Sequence, residues 1–119
     1  GRGLFGNVAF RRTDRIAEFH GELISSAEAQ QRDDAGLGGY AVHVSTHQVL
    51  DCFSAAQSGR CLASMANSPR RARCLHSGRP AVANARLVVG YPPSAAGLPR
   101  VSLVATRPIP PHTEIFFDY

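Results

Sequence analysis

Three cysteines and five histidines are the side chains of this 119-residue chain that could ligate a metal or attack a substrate. Cys52, Cys61 and Cys74 together with His76 would make up a four-ligand zinc set. Structural zinc sites pair ligands with at least two residues between them. No C-x-x-C is present and Cys74-Leu75-His76 is too tight, so no metal is expected. An odd cysteine count without framework spacing also argues against a disulfide-stapled secreted module and for a reducing compartment. Composition allows a Cys/His dyad, but no spacing singles out a pair. The generic signatures G-x-x-x-x-G-K-[ST], G-x-S-x-G and H-E-x-x-H are missing. Gly1-Arg2-Gly3 is too short to be a nucleotide fingerprint by itself.

Composition narrows the classes further. Apolar residues make up 44% and charged residues 18%, which is a globular balance. The length suits one domain. All thirteen basic residues are arginine, and the formal charge is +4. That permits an acidic partner without requiring one. Nucleic-acid binders concentrate charge and interleave aromatics. Here the only tight cluster is Arg70, Arg71 and Arg73, followed by Arg79, and a solvated loop is the favoured reading of it. No apolar run reaches the 18 or so residues of a membrane-spanning helix. No signal peptide is legible. A chain opening on Gly1 and closing on an aromatic reads as a segment of a longer protein.

Many short extended pieces should position whatever chemistry there is. Ile16 to Ile24 reads as two strands around a bend at Gly21. Ser25 is a good N-cap and Glu28 completes a capping box, predicting a helix over Ser26 to Arg32. Asp33, Asp34 and the glycines at 36, 38 and 39 end it and open a loop. Tyr40 to Ser45 and His47 to Leu50 read as strands, the second closing at Asp51. Cys61 to Asn67 reads as one helical turn, and 68–82 as a loop. Ala85 to Gly90 reads as a buried strand, joined through the proline-rich 91–99 to a partner strand from Val101 to Thr106. Pro108, Pro110 and Pro111 enforce an irregular link. Glu114 to Tyr119 is a last, aromatic strand. The expected class is a small, mainly β domain with a short helix.

Taken in order, the blocks become specific. They are Gly1-Arg2-Gly3-Leu4-Phe5, F-H-G-E-L-I-S-S-A-E-A-Q-Q-R at 19–32, Tyr40-Ala41-Val42 and Leu50-Asp51-Cys52. They continue with A-S-M-A-N at 63–67, Asn84-Ala85-Arg86 and E-I-F-F-D-Y at 114–119. This series resembles the SET domain of protein-lysine methyltransferases over nearly the whole chain, with the early block closest to the histone-lysine branch. The resemblance implies a single SET domain over 1–119, of the β-clip type. Several small curved sheets make up that fold, and its C-terminal pseudoknot brings the segment around Asn67 to the one ending at Tyr119.

The resemblance also implies chemistry. The cofactor would be S-adenosylmethionine and the substrate a lysine of a protein or peptide, a histone tail among them. Tyr119 would be the catalytic tyrosine, and Tyr40 the channel tyrosine that orients the amine. Phe117 matches the position where the family carries Phe or Tyr, and phenylalanine there leaves room for a second or third methyl. Gly1, Arg2, Gly3 and Leu4, with Asn67 and Ser68, match the segments that contact the cofactor largely through backbone atoms. Asp51 matches a position before a turn and reads as structural. Location would be nuclear, at chromatin, with the cytoplasm as the other compartment.

The chain departs from the family run R-F-I-N-H-S-C-x-P-N. Ser64 stands for Arg, Ser68 for His, Pro69 for Ser and Arg70 for Cys. Residues 69–83 look like an insertion carrying the arginine cluster. No cysteine-rich pre-SET or post-SET segment is in view, so such flanking domains are expected outside this segment. The alternative to the enzyme is therefore a catalytically degenerate SET domain that binds a peptide by strand addition.

Overall fold

The computed structural model describes residues 3–37, 41–66, 81–90 and 99–118. In chain order the elements are β1 (Leu4–Phe5), β2 (Arg15–Phe19), β3 (Glu22–Ser25), α1 (Ser26–Asp34), β4 (Ala41–His43) and β5 (Gln48–Asp51). They continue with α2 (Phe53–Gln57), a 3-10 turn (Leu62–Met65), β6 (Ala85–Gly90), β7 (Arg100–Ala105) and β8 (Glu114–Ile115). The strands form three small antiparallel sheets, ordered β1-β8, β2-β7-β6 and β3-β5-β4. This is the mainly β architecture that the short runs and frequent breakers imply.

Each sheet follows from its apolar pattern. β7 has Val101, Ser102, Leu103 and Ala105 buried. A strand buried on both faces belongs at the centre of a sheet, and β7 runs between β2 and β6. β6 differs from the buried strand its Leu-Val-Val run implies: only Ala85 is buried and the rest is half-buried or exposed. Among the described residues it is the outer strand of its sheet, paired along its length with β7. Val101, Leu103, Val49, Ile115, Cys52 and Cys61 are the largest fully buried side chains.

α1 starts where its cap predicts. Ser25 Oγ accepts the Glu28 backbone N–H at 3.1 Å. The reciprocal half of the capping box gives way to a stronger partner. Glu28 Oε1 pairs with Arg32 Nη2 at 2.9 Å, one turn along the helix. The helix runs on to Asp34, two residues past its expected end, and Gly36 then takes φ +80°, which a side chain would disfavour. α2 was not legible in the sequence. It is five residues long, and the Asp51 carboxylate accepts the Phe53 N–H at 3.0 Å at its start.

Candidate functional site

The C-terminal segment lies across the start of β6, and one side chain holds it there. Asn84 Nδ2 donates to the Glu114 carbonyl and Asn84 Oδ1 accepts the Phe116 N–H, both at 2.9 Å. The Phe116 carbonyl accepts from the Asn84 and Ala85 amides at 3.0 and 3.1 Å. Ala85 then bridges Phe117 in parallel. An amide side chain offers a donor and an acceptor at one tip. Asn84 is buried, and its amide takes the place of a sheet partner for a segment too short to make a full strand. The aromatic run after Glu114 is thus two ladder residues and a bridge, not a continuous strand.

The same segment carries the opening residues of the chain on its other side. Leu4 pairs with Ile115 and Phe5 with Glu114. A Cβ on Gly3 would stand 2.7 Å from the Glu114 carboxyl carbon and Oε2, so a larger residue there would have to push that flexible side chain aside. Phe117 is 3% exposed. Its ring meets that of Phe19 edge-on, with centroids 5.9 Å apart and planes at 65°, a favoured geometry for paired rings. Phe19 lies in the quoted F-H-G-E-L-I block, yet nothing in its spacing marks it as the neighbour of Phe117. Of the residues assigned from sequence, Gly3, Leu4 and Phe117 are therefore brought to one place. Gly1, Arg2, Tyr40, Asn67, Ser68 and Tyr119 lie outside the described residues, as does nearly all of the 69–83 insertion.

A second polar constellation supports the scaffold. Arg32 Nη1 lies 2.7 Å from Asp51 Oδ2 and 3.1 Å from Glu22 Oε2, while Nη2 takes Glu28. These carboxylates, Asp51 foremost, raise the pKa of the guanidinium and keep it charged. The ion network ties α1 to β3 and to the end of β5. Asp51 is thus structural, as read from its position. Beside it opens a cleft of about 710 Å³ walled by His20, Gly21, Glu22, Arg32, Asp51 and Arg60 among others. Among the described residues, none of those assigned to methyl transfer lines it. A smaller cavity of about 250 Å³ has Phe19 and Leu50 in its wall and the Glu18–Arg100 pair at 3.6 Å beside it. Among the described residues, no group of three or more His, Cys, Asp or Glu side chains could hold a metal.

Three small antiparallel sheets, a short helix and a C-terminal segment tied across another strand agree with a match to the family model for the SET domain, which covers residues 1–119. The chain belongs to the SET-domain family. It is similar to the N-lysine methyltransferase KMT5A-A of Danio rerio, at 28% identity over 119 residues. The match takes in the whole of this chain and 32% of that protein, so the chain spans about a third of the relative's length. No helix among the described residues is long and apolar enough to cross a membrane.

Proposed function

We propose that this domain transfers a methyl group from S-adenosylmethionine to a lysine of a protein, with a histone tail as the first substrate class to test. One observation carries the reading beyond family membership. The antiparallel pairing of β1 with β8 seats Gly3 and Leu4 beside the segment that ends in Phe117. A cofactor segment and a substrate channel have to adjoin for any methyl transfer. Gly3 also fits a ligand read through its backbone, since glycine presents no side chain to hold the ligand off. That carboxylate favours a cationic sulfonium nearby.

When bound, the cofactor supplies a methyl group on positively charged sulfur, which a neutral amine can attack. The chain's own residues must deliver that amine. In this reading Gly1, Arg2, Gly3, Leu4, Asn67 and Ser68 hold the cofactor. Tyr119 and Tyr40 orient the amine with their hydroxyls. Phe117 and Phe19 present apolar edges that exclude water. Desolvation lowers the lysine pKa toward neutrality, so that the amine can lose its proton before attack. Alignment behind the methyl carbon then supplies much of the rate.

Labelled methyl transfer to a panel of histones and peptides tests this. The protein should be extended past Tyr119, because the family's post-SET part closes the channel. Tyr119→Phe should lower incorporation on the order of a hundredfold. No incorporation and no cofactor binding by the parent would sink the proposal. Phe117→Tyr should shift the product, read by mass spectrometry, from di- and trimethyl-lysine to monomethyl-lysine. The added hydroxyl can hold a water in the space a second methyl needs. An unchanged product distribution would remove Phe117 from the channel.

A second reading is binding without catalysis. Ser68 in place of His favours it, as does the position of β4 in its sheet. Among the described residues β4 pairs with β5 alone, which leaves an edge to which an extended peptide can add. Peptide binding that persists in Tyr119→Phe, with no methyl transfer by the parent, is the outcome that selects it.

A further inference from the structure

The β2-β7-β6 sheet has two unlike faces. One turns Phe19, Val101 and Leu103 into the core. Residues directly opposite in an antiparallel pair lie on the same face, so the register fixes what the other face carries. Arg15 and Arg86 both stand opposite Val104, Glu18 and Val88 opposite Ser102, and Gly90 opposite Arg100. Arg15, Arg86 and Arg100 are exposed, Val88 and Val104 are half-buried, and the short Ser102 at the centre is buried. Three more exposed arginines adjoin this face. Arg11 and Arg12 precede β2 in a turn whose Thr13 N–H donates to the Ala105 carbonyl at 2.8 Å, and Arg107 follows the end of β7. Among the described residues, Arg100 alone of the six has an ion-pair partner, Glu18 at 3.6 Å. Carboxylates collect elsewhere: Glu22, Glu28, Asp33, Asp34 and Asp51 belong to β3, α1 and β5.

We propose that this face docks on the phosphate backbone of double-stranded nucleic acid and holds it by charge, without reading its sequence. Along the chain the six arginines are scattered from position 11 to position 107, and folding gathers them. Guanidinium groups present paired N–H donors that match phosphate oxygens. A duplex carries one charge per about 1.7 Å of its axis, so phosphates meet the arginines along the whole face. Adjacent strands lie about 4.8 Å apart, which sets the Arg15 and Arg86 backbones roughly 10 Å apart on either side of Val104. The face lacks what other partners need. Protein interfaces draw affinity from buried apolar anchors, yet none of the large exposed apolar side chains, Phe5, Val8, Leu37, Leu62 and Val82, is on these strands. Unpaired bases stack on aromatic side chains, and the aromatic of these strands, Phe19, is buried on the core face. The inference stands apart from methyl transfer. The face turns away from Phe19, and therefore from its contact with Phe117, so a bound duplex leaves the candidate site open. Docking there brings the domain to proteins that sit on the duplex, the class a histone substrate belongs to.

Fluorescence anisotropy of a short labelled duplex of random sequence, titrated with the full chain at several salt concentrations, tests this. Binding should weaken with salt by about one unit of log–log slope for each phosphate contact. Arg15→Gln combined with Arg86→Gln should weaken binding about tenfold or more and flatten the slope by about two. Arg15→Lys with Arg86→Lys keeps both charges and should keep most of the affinity. Arg60→Gln, at an exposed arginine on the wall of the large cleft, should bind as the parent does. Thermal unfolding should give every variant the parent's Tm, which separates a lost contact from a lost fold. A parent that shows no salt-dependent binding would overturn the proposal. So would a double glutamine variant that binds as the parent does while Arg70→Gln with Arg71→Gln fails to bind, since the contact would then belong to the insertion. Single-stranded DNA, polyglutamate or phosphatidylserine vesicles bound as tightly as the duplex at equal charge would overturn the choice of partner.

Discussion

Replacing Asn84 with alanine is expected to cost about 2–4 kcal/mol of folding stability, from two lost hydrogen bonds and a donor left without a partner. The Asn84 amide bonds the Glu114 carbonyl and the Phe116 N–H at once. Phe116 is 6% exposed, so water cannot readily take over its N–H, and an orphaned buried donor costs more than the average hydrogen bond contributes. For a domain of this size the loss is a drop in Tm of roughly 10–20 °C. Asn84→Asp separates the two bonds. Its carboxylate still accepts the Phe116 N–H but sets a second, buried acceptor against the Glu114 carbonyl, so it should be at least as destabilising as Asn84→Ala. A loss below about 1 kcal/mol for Asn84→Ala, in urea or thermal unfolding, would mean that the C-terminal segment is held mainly by Ile115 and Phe117 in the core. The effect should reach function too. The same segment carries Phe117 and leads to Tyr119, so methyl transfer should decline in Asn84→Ala even where the protein remains folded.

Gly21→Ala is expected to be at least as damaging, about 3–5 kcal/mol, at the upper end for single substitutions. Gly21 does not have a positive φ, so backbone conformation is not the cause. A Cβ there would collide with the Asp51 carbonyl oxygen and sit 2.7 Å from its carbon and 3.0 Å from Cys52 Cα. These are backbone atoms and cannot swing aside. Displacing them disturbs the Glu22–Asp51 register of the β3–β5 pair. It also disturbs the Arg32–Asp51 ion pair and the Asp51 bond to the Phe53 N–H. Thermal unfolding and limited proteolysis check this. A Tm within a few degrees of the parent would show that the β2–β3 link can shift at little cost.

These two residues show how the fold was and was not legible. The two strands on either side of Gly21, the Ser25 cap, the β5 run into Asp51 and the β6–β7 pair all follow from local patterns. Gly21 itself reads as a bend between two strands, and so it is. The reason it must be glycine is the backbone of Asp51, thirty residues away, which no local pattern carries. Asn84 reads only as one of two asparagines in an ordered motif series. Its partners lie thirty and thirty-two residues on. β1 and α2 were missed because both are very short. β1 exists through pairing with β8 at the far end of the chain.

The candidate site divides in the same way. Residue order and spacing were enough to identify the family, because a series of blocks survives substitution within any one of them. They also singled out Phe117, Gly3 and Leu4. Tertiary structure alone decided that Gly3 and Leu4 lie against the Glu114–Phe117 segment and that Phe19 packs on Phe117. The physical reason is range. Periodicity, caps and turn residues act through bonds made within a few positions, and the amino-acid sequence displays them directly. Contacts between distant segments depend on which surfaces the three sheets bury against each other, and that emerges only when the whole chain has folded.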